Sequence, residues 1–398
     1  MGSSVVLTLS GGGAPLAFPL PWLWACAPAH HDPHTTQRTL SALAASRTPP
    51  LESLSVEGGG AALRVVWGGG GGALAYDAPW LAARTPTAGA LATPPPLSPP
   101  PPPPEFSYGA LAAGGDAAAL ALLRAVNRAG VALVRGCPTA DPAAVLGLCA
   151  LLAPPMRTIY GDTWAVEVPR GAAPINVAYT DVALGVHQDL AYYESPPGLQ
   201  LLLCREFDDA VEGGESTFVD GLAAGEAFRA AAPAAFATLA RVPATFQKVH
   251  YARAQPAHMV AQRPIFTLGA GGALAGVTWA PQFEGPLRAP AEDVGPFFEA
   301  YGAFAALLED VEGGRRPGLL QFRLKRGDAV VFNQRRMLHG RRAFKLPPGG
   351  RGRRSLQGCY ANACEWKSRL RVLERLAAGG DAAGEGAQLV RCGDGQLF

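Results

Sequence analysis

Val186-His187-Gln188-Asp189-Leu190-Ala191-Tyr192-Tyr193-Glu194-Ser195-Pro196-Pro197-Gly198-Leu199-Gln200-Leu201-Leu202-Leu203-Cys204 is the stretch around which the chain is organised. His187 and Asp189 stand two residues apart. On an extended strand that spacing aims both side chains at one face. An imidazole and a carboxylate offered together are two thirds of a facial metal site with coordination positions left open. The apolar run after Gly198 reads as a buried strand, and Gly213-Gly214-Glu215-Ser216-Thr217-Phe218-Val219-Asp220 as a turn and a second one. Seven His and 15 Asp in 398 residues produce one His-x-Asp in about four such chains by chance. The pair therefore gains meaning only from what completes it.

Bulk properties narrow the classes. A chain of 398 residues accommodates one large domain and a smaller one, each with its own core. Lys and Arg total 34 against 32 Asp and Glu, so no global field attracts nucleic acid or an acidic membrane. The seven cysteines (Cys26, Cys137, Cys149, Cys204, Cys359, Cys364 and Cys392) form no Cys-x-x-Cys, which predicts buried thiols in a reducing compartment rather than a disulfide framework. No apolar run is expected to reach transmembrane length. No basic residue precedes Arg38, which speaks against a leader peptide.

Along the chain, residues 1–93 read as a small β-rich unit, with β-prone runs at 5–9, 53–56 and 63–67 between glycines. Within it Trp22-Leu23-Trp24-Ala25-Cys26 precedes His30, His31 and His34, either a His-rich polar turn or a zinc-holding cluster. Residues 94–104 are nearly all proline and form a polyproline II spacer between domains. A second block, 105–378, opens with a helix from an Asp116 N-cap through Ala129, closed by Gly130. A strand at 131–135 follows, then a helix from Asp141-Pro142 to Pro154. Beyond it short strands are predicted at 176–180, 199–205, 216–219, 245–249, 264–268, 275–279, 321–324, 329–333 and 355–360. One helix, 292–312, interrupts them, its stripe of Phe297, Phe298, Tyr301, Phe304, Leu307 and Leu308 serving packing. Many short strands with few helices predict a mainly β fold, a double-stranded β-helix (jelly roll) with covering helices, beside the small N-terminal domain. The Gly- and Ala-rich residues 379–398 read as a flexible tail.

Chemistry gathers towards the C-terminus. After the turn and buried strand of residues 326–333 comes His339, about 150 residues beyond His187, where a jelly roll returns to the same mouth. Arg351, Arg353 and Arg354 then lead into Ser355-Leu356-Gln357-Gly358-Cys359-Tyr360. An arginine carried into an apolar barrel needs an anionic partner, and a bidentate carboxylate supplies one. Arg351 and Arg353 fit a solvated loop.

Taken together, residues 120–373 resemble the iron- and 2-oxoglutarate-dependent dioxygenases of the taurine dioxygenase superfamily, in particular the branch of γ-butyrobetaine and trimethyllysine dioxygenases. The matching stretches are Tyr160-Gly161-Asp162-Thr163-Trp164, Asn176-Val177-Ala178-Tyr179-Thr180, the opening stretch, Leu338-His339-Gly340-Arg341-Arg342, and Leu356-Gln357-Gly358-Cys359-Tyr360 with Ser368-Arg369-Leu370-Arg371. The resemblance implies His187, Asp189 and His339 as ligands of Fe(II). It implies Arg354, with Ser216 beside it, as the grip on 2-oxoglutarate. It places Tyr160, Trp164, Tyr179 and Tyr360 around a trimethylammonium group, which aromatic rings attract through their quadrupole. Asn176 is an uncharged amide where trimethyllysine enzymes tend to carry an acid, which favours a substrate ending in a carboxylate alone. The implied reaction consumes O2 and 2-oxoglutarate, releases succinate and CO2, and hydroxylates a small trimethylammonium acid, with ascorbate as reductant.

γ-Butyrobetaine, converted to L-carnitine in carnitine biosynthesis, is the expected substrate; trimethyllysine or another small amine or sulfonate is the alternative. Outside the enzymes, a catalytically silent betaine-binding jelly roll would fit the aromatics but has no need of the metal and arginine set. Two departures bear on the substrate. Leu190 stands where the butyrobetaine enzymes commonly place an aromatic, and Trp279-Ala280-Pro281-Gln282 where they hold paired Asn residues. Proline has no backbone N–H to replace such a donor. The N-terminal block resembles the family's zinc-binding accessory domain, with the zinc either lost or rebuilt from Cys26 with His30, His31 or His34. No nucleic-acid or membrane partner is expected, the family implies a homodimer, and the cytoplasm is the expected compartment, with mitochondria as the alternative.

Overall fold

The computed structural model describes residues 3–8, 14–84, 101–167, 180–309, 319–346 and 352–379. The described chain divides into two compact units, within Met1–Ala92 and within Thr93–Gly379. The main strands of the larger unit are β1 (Glu105–Ser107), β2 (Val131–Arg135), β3 (Trp164–Val166), β4 (Leu184–His187), β5 (Leu199–Phe207), β6 (Ser216–Asp220), β7 (Ala244–His250), β8 (Ala257–Arg263), β9 (Leu319–Phe322), β10 (Ala329–Asn333), β11 (Met337–Arg341) and β12 (Arg354–Ala361), beside the short pairs Glu212–Gly213 with Phe344–Lys345 and Phe266–Leu268 with Leu274–Val277. Six of them form one sheet in the order β1-β2-β10-β5-β12-β3, and four a second in the order β9-β6-β11-β4. Apart from the parallel β1–β2 pair, neighbours in both sheets run antiparallel.

The period-2 alternation of β5 shows what the large sheet separates. Leu199, Leu201 and Leu203 face helices, packing with Leu123, Leu148 and Trp366. Leu202 and Cys204 face the other way and join Leu133, Phe218, Phe332 and Leu356 in a core shared by both sheets. From Leu199 to Cys204 the strand is apolar apart from Gln200, because both its faces are covered there. The covering helices are α1 (Tyr108–Ala129), α2 (Ala144–Leu152) and α6 (Ala363–Ala377), while α3 (Gly221–Ala231), α4 (Pro233–Arg241) and α5 (Ala291–Glu309) enclose a third core around Phe228, Phe266, Phe304 and Trp279.

Several local expectations shift. Helix α1 starts at Tyr108 rather than Asp116, with the Ser107 hydroxyl accepting from the Ala110 N–H. It breaks at Gly115, whose φ of 53° only glycine adopts cheaply, so Asp116 begins its second segment. Contrary to the sequence expectation, α1 is long and apolar enough by length and composition to cross a membrane (22 residues, mean hydropathy 1.4). Its apolar stripe, with Leu111, Leu120, Leu122, Leu123 and Val126, is buried in the core. In α5, Phe297, Phe304 and Leu308 are buried as expected, whereas Phe298 is exposed.

The smaller unit contains a hairpin of Ser4–Leu7 with Leu16–Pro19 and a three-stranded sheet of Leu51–Glu57, Ala62–Trp67 and Gly72–Asp77. Phe18, Leu23, Trp67, Tyr76 and Leu81 form its core, and the buried Tyr76 hydroxyl donates to the Leu23 carbonyl. The predicted zinc cluster does not assemble. His30 sets its ring edge-on against Trp24, His31 Nδ1 is 3.2 Å from the Ala27 carbonyl, and His34 sits on a turn closed by the Asp32 carboxylate. Local packing and turn bonds thus aim these side chains apart. Among the described residues no third ligand joins Cys26 and His30.

Candidate active site

The small sheet carries two of the three central groups. His187 is the last residue of β4 and His339 the middle of β11, and the two are direct partners across the antiparallel pair. Their rings lie 4.4 Å apart between centroids. Asp189 departs from the expectation: it lies in the turn after β4, so the strand periodicity is not what places it. The turn closes with Leu190 at φ 55°, a left-handed conformation that a branched side chain adopts only at a cost.

A network of glutamine amides holds this turn. Asp189 N–H donates to Gln334 Oε1 (3.0 Å), and Gln334 Nε2 donates back to the Asp189 carbonyl (2.8 Å). Gln188 Nε2 donates to the Gln334 carbonyl, while its Oε1 accepts from Trp279 N–H. Both glutamines are buried. The result brings Asp189 Oδ1 to 3.4 Å from His187 Nε2 and Asp189 Oδ2 to 3.8 Å from His339 Nε2. One ligand atom from each of the three falls within 4.8 Å of the others, a grouping of three or more potential ligands met nowhere else among the described residues.

Protonation suits a cation. His187 Nδ1 lies 2.9 Å from the Gly185 carbonyl; donating there leaves Nε2 bare and aimed inward. Burial, then the neighbouring His187, lowers His339 to about 3, so its imidazole is neutral. Burial alone would raise the Asp189 carboxyl, but the contact with His187 and the Tyr360 hydroxyl bond hold it well below the ordinary carboxylate range. Gln200 Nε2 (2.8 Å) and the Tyr360 hydroxyl (2.7 Å) both donate to Asp189 Oδ2. Two imidazoles and one carboxylate form a mixed N/O donor set suited to a divalent first-row metal.

The group lies in a cleft enclosing about 740 Å³ of atom-free space, part of it open to solvent. At one end stand Ser216, Arg341 and Arg354. Arg354, first residue of β12, is buried between the rings of Phe207 and Phe344, with its Nε unsatisfied and one long bond from Nη2 to the Gly214 carbonyl (3.4 Å). Burial, then the nearby Arg341, lowers its guanidinium to about 10. A buried cation with spare donors is a seat for an anion.

At the other end are Tyr160, Trp164, Leu190, Phe283 and Tyr360. Trp164 stacks on Tyr360 with centroids 4.0 Å apart. Their contact depends on Gly358, the β12 partner of Trp164: a Cβ there would lie 2.5 Å from the indole. The structure therefore gathers His187, Asp189, His339, Ser216, Arg354, Tyr160, Trp164 and Tyr360 in one cleft. Asn176 and Tyr179 lie outside the described residues.

Sequence reading overlooked Gln188, Gln200, Gln334 and Arg341. A usable signal existed for Gln200, a lone amide inside Leu199-Gln200-Leu201-Leu202, and for Asn333-Gln334, a polar end on a fully apolar strand.

The family model described as "Taurine catabolism dioxygenase TauD, TfdA family" matches residues 94–360. The chain belongs to this family. Among curated relatives, the dioxygenase str8 of Strobilurus tenacellus is 34% identical over 222 residues, covering 54% of this chain and 49% of that one. A γ-butyrobetaine dioxygenase of Pseudomonas sp. (strain AK-1) is 32% identical over 261 residues, covering 65% and 63%. The γ-butyrobetaine dioxygenase of Homo sapiens is 30% identical over 225 residues, covering 56% and 55%. The chain thus spans about half to somewhat under two thirds of the length of these relatives.

Proposed function

We propose that the protein is an Fe(II)- and 2-oxoglutarate-dependent hydroxylase of small trimethylammonium acids, with γ-butyrobetaine as substrate and L-carnitine as product. The observation that carries this reading is one cleft holding two imidazoles, one carboxylate and, at its far end, a buried arginine with unspent donors. His187, Asp189 and His339 would hold the iron. When bound, iron supplies the activation of O2 coupled to oxidative decarboxylation of 2-oxoglutarate. In the same reading, the two facing sheets are the halves of a double-stranded β-helix, with the three ligands at its open end.

The chain's own residues have distinct tasks. Arg354 binds the distal carboxylate of 2-oxoglutarate through a bidentate fork, and Ser216 offers a hydroxyl beside it. Gln188 and Gln334 lock the turn, so that the Asp189 carboxylate is oriented before any ligand arrives. Tyr360 links the two ends: its hydroxyl bonds Asp189 while its ring face stacks with Trp164. The hydroxyl keeps its proton, because burial and then the Asp189 charge raise Tyr360 well above the usual phenol range. Tyr160, Trp164 and Tyr360 present faces to a quaternary ammonium, each contact contributing about 0.5–2 kcal/mol when desolvated.

The relatives named γ-butyrobetaine dioxygenase and the neutral amide of Asn176 support γ-butyrobetaine over trimethyllysine. Succinate release measured with Fe(II), ascorbate, 2-oxoglutarate and a betaine panel tests the choice. Faster turnover of γ-butyrobetaine than of trimethyllysine is expected; the reverse order reassigns the substrate.

A further inference from the structure

Behind Tyr160 lies a second cavity, enclosing about 760 Å³ of atom-free space partly open to solvent. Its walls are Tyr160, Lys248, His250, Arg253, Ala254 and Gln255. Lys248 and His250 are two residues apart on β7, so they share a face of the hairpin formed with β8. Arg253 comes from the hairpin tip, lies over the Tyr160 ring (5.7 Å to the centroid) and donates to the Ile159 carbonyl. Among the described residues no carboxylate lines this cavity. The charged neighbour that bears on Lys248 is Arg253, another cation; burial first and then Arg253 lower the Lys248 ammonium. Cations crowded in a partly buried recess without a counter-ion are stabilised by an incoming anion.

Among the described residues the cleft shows no such group at its aromatic end. Among the described residues its arginines, Arg341 and Arg354, stand at the Ser216 end, where Arg354 serves 2-oxoglutarate. Around Tyr160 and Trp164 the described lining is aromatic and aliphatic. Lys248 and Arg253 stand across the Tyr160 ring, which lines both spaces.

We propose that this cavity is an anion subsite that receives the carboxylate end of the substrate, with Lys248 and Arg253 as its cations and Tyr160 as the wall shared with the metal cleft. The assignment rests on the hydroxylase reading for the identity of the substrate, but not for the existence of the anion site. It predicts selection for molecules that carry a negative group beyond the cation held by the aromatics, and rejection of their esters.

Inorganic sulfate titrated into the full chain at constant pH, with the His250 ring followed by NMR, is the first arm of the test. A saturable shift is expected, weakened about tenfold or more in Lys248→Gln and recovered in Lys248→Arg. A shift that does not saturate, or one unchanged in Lys248→Gln, overturns the site. In the second arm γ-butyrobetaine is added to the sulfate-loaded protein. Displacement of sulfate by the acid but not by its methyl ester is expected. Turnover of γ-butyrobetaine with sulfate left in place overturns the substrate assignment. Saturable sulfate binding without turnover of any betaine leaves the anion site standing and removes the hydroxylase reading instead.

Discussion

Asp189 is the residue on which the site turns, and its position is held by amides rather than by a strand. Gln334 meets both the N–H and the carbonyl of Asp189, and Gln188 meets Gln334 and Trp279. Replacing Gln334 with Ala strips two bonds from a buried turn and leaves an N–H and a carbonyl unsatisfied, a cost of about 1–3 kcal/mol for each. A lower urea midpoint is therefore expected for Gln334→Ala, together with weaker metal binding by calorimetry. Unchanged metal affinity would show that the turn needs no such clamp. None of this was legible in His187-Gln188-Asp189, where strand alternation put both ligands on one face. The alternation fails because the chain leaves the strand at His187 and passes through the left-handed Leu190. A conformation that costs its residue energy is not visible in propensity.

At the scale of elements, most strands were legible because their apolar runs are buried on both faces; β10 falls on the predicted residues 329–333. Strand β11 was not, since Arg335, Arg336 and Arg341 around His339 break any apolar run there. The charges are in fact satisfied inside. Arg336 pairs with Asp220, 116 residues away, with both side chains buried, and Arg341 donates to the Thr180 and Val182 carbonyls. Such partners are set by topology, which local sequence does not carry. The pairing of β3 with β12 makes a sharper claim. Gly358→Ala would drive a methyl group into the Trp164 indole, an overpacking that costs about 1–3 kcal/mol. Lower stability and a raised KM for the betaine with little change in kcat are expected, read from thermal melts and steady-state kinetics. An unaltered KM would detach Trp164 from substrate binding.

Over the whole molecule, the cysteines report on which surfaces are closed. Cys137, Cys149, Cys204 and Cys359 are buried, whereas Cys364 is exposed. Burial pushes the Cys137 and Cys204 thiols up to about 12. The thiolate is the nucleophile, so at about pH 8 only about one part in ten thousand of either thiol is reactive even before access is counted. Iodoacetamide should therefore modify Cys364 in the native protein and reach the buried four only after unfolding, as mapped by peptide mass spectrometry. Modification of Cys204 at the rate of Cys364 would contradict the two-sheet core. In the N-terminal unit the histidines were not legible: ring packing on Trp24 and bonds within the turn decide their direction, and neither follows from spacing.

The central claim is that one cleft holds a metal through His187, Asp189 and His339 and a dicarboxylate through Arg354. Anaerobic calorimetry of 2-oxoglutarate binding, with and without Fe(II), tests it most directly. The account predicts tight binding that requires Fe(II), is lost in Asp189→Ala, and is weakened about a hundredfold in Arg354→Met. Binding of 2-oxoglutarate that is indifferent to Fe(II) and to both substitutions would contradict it.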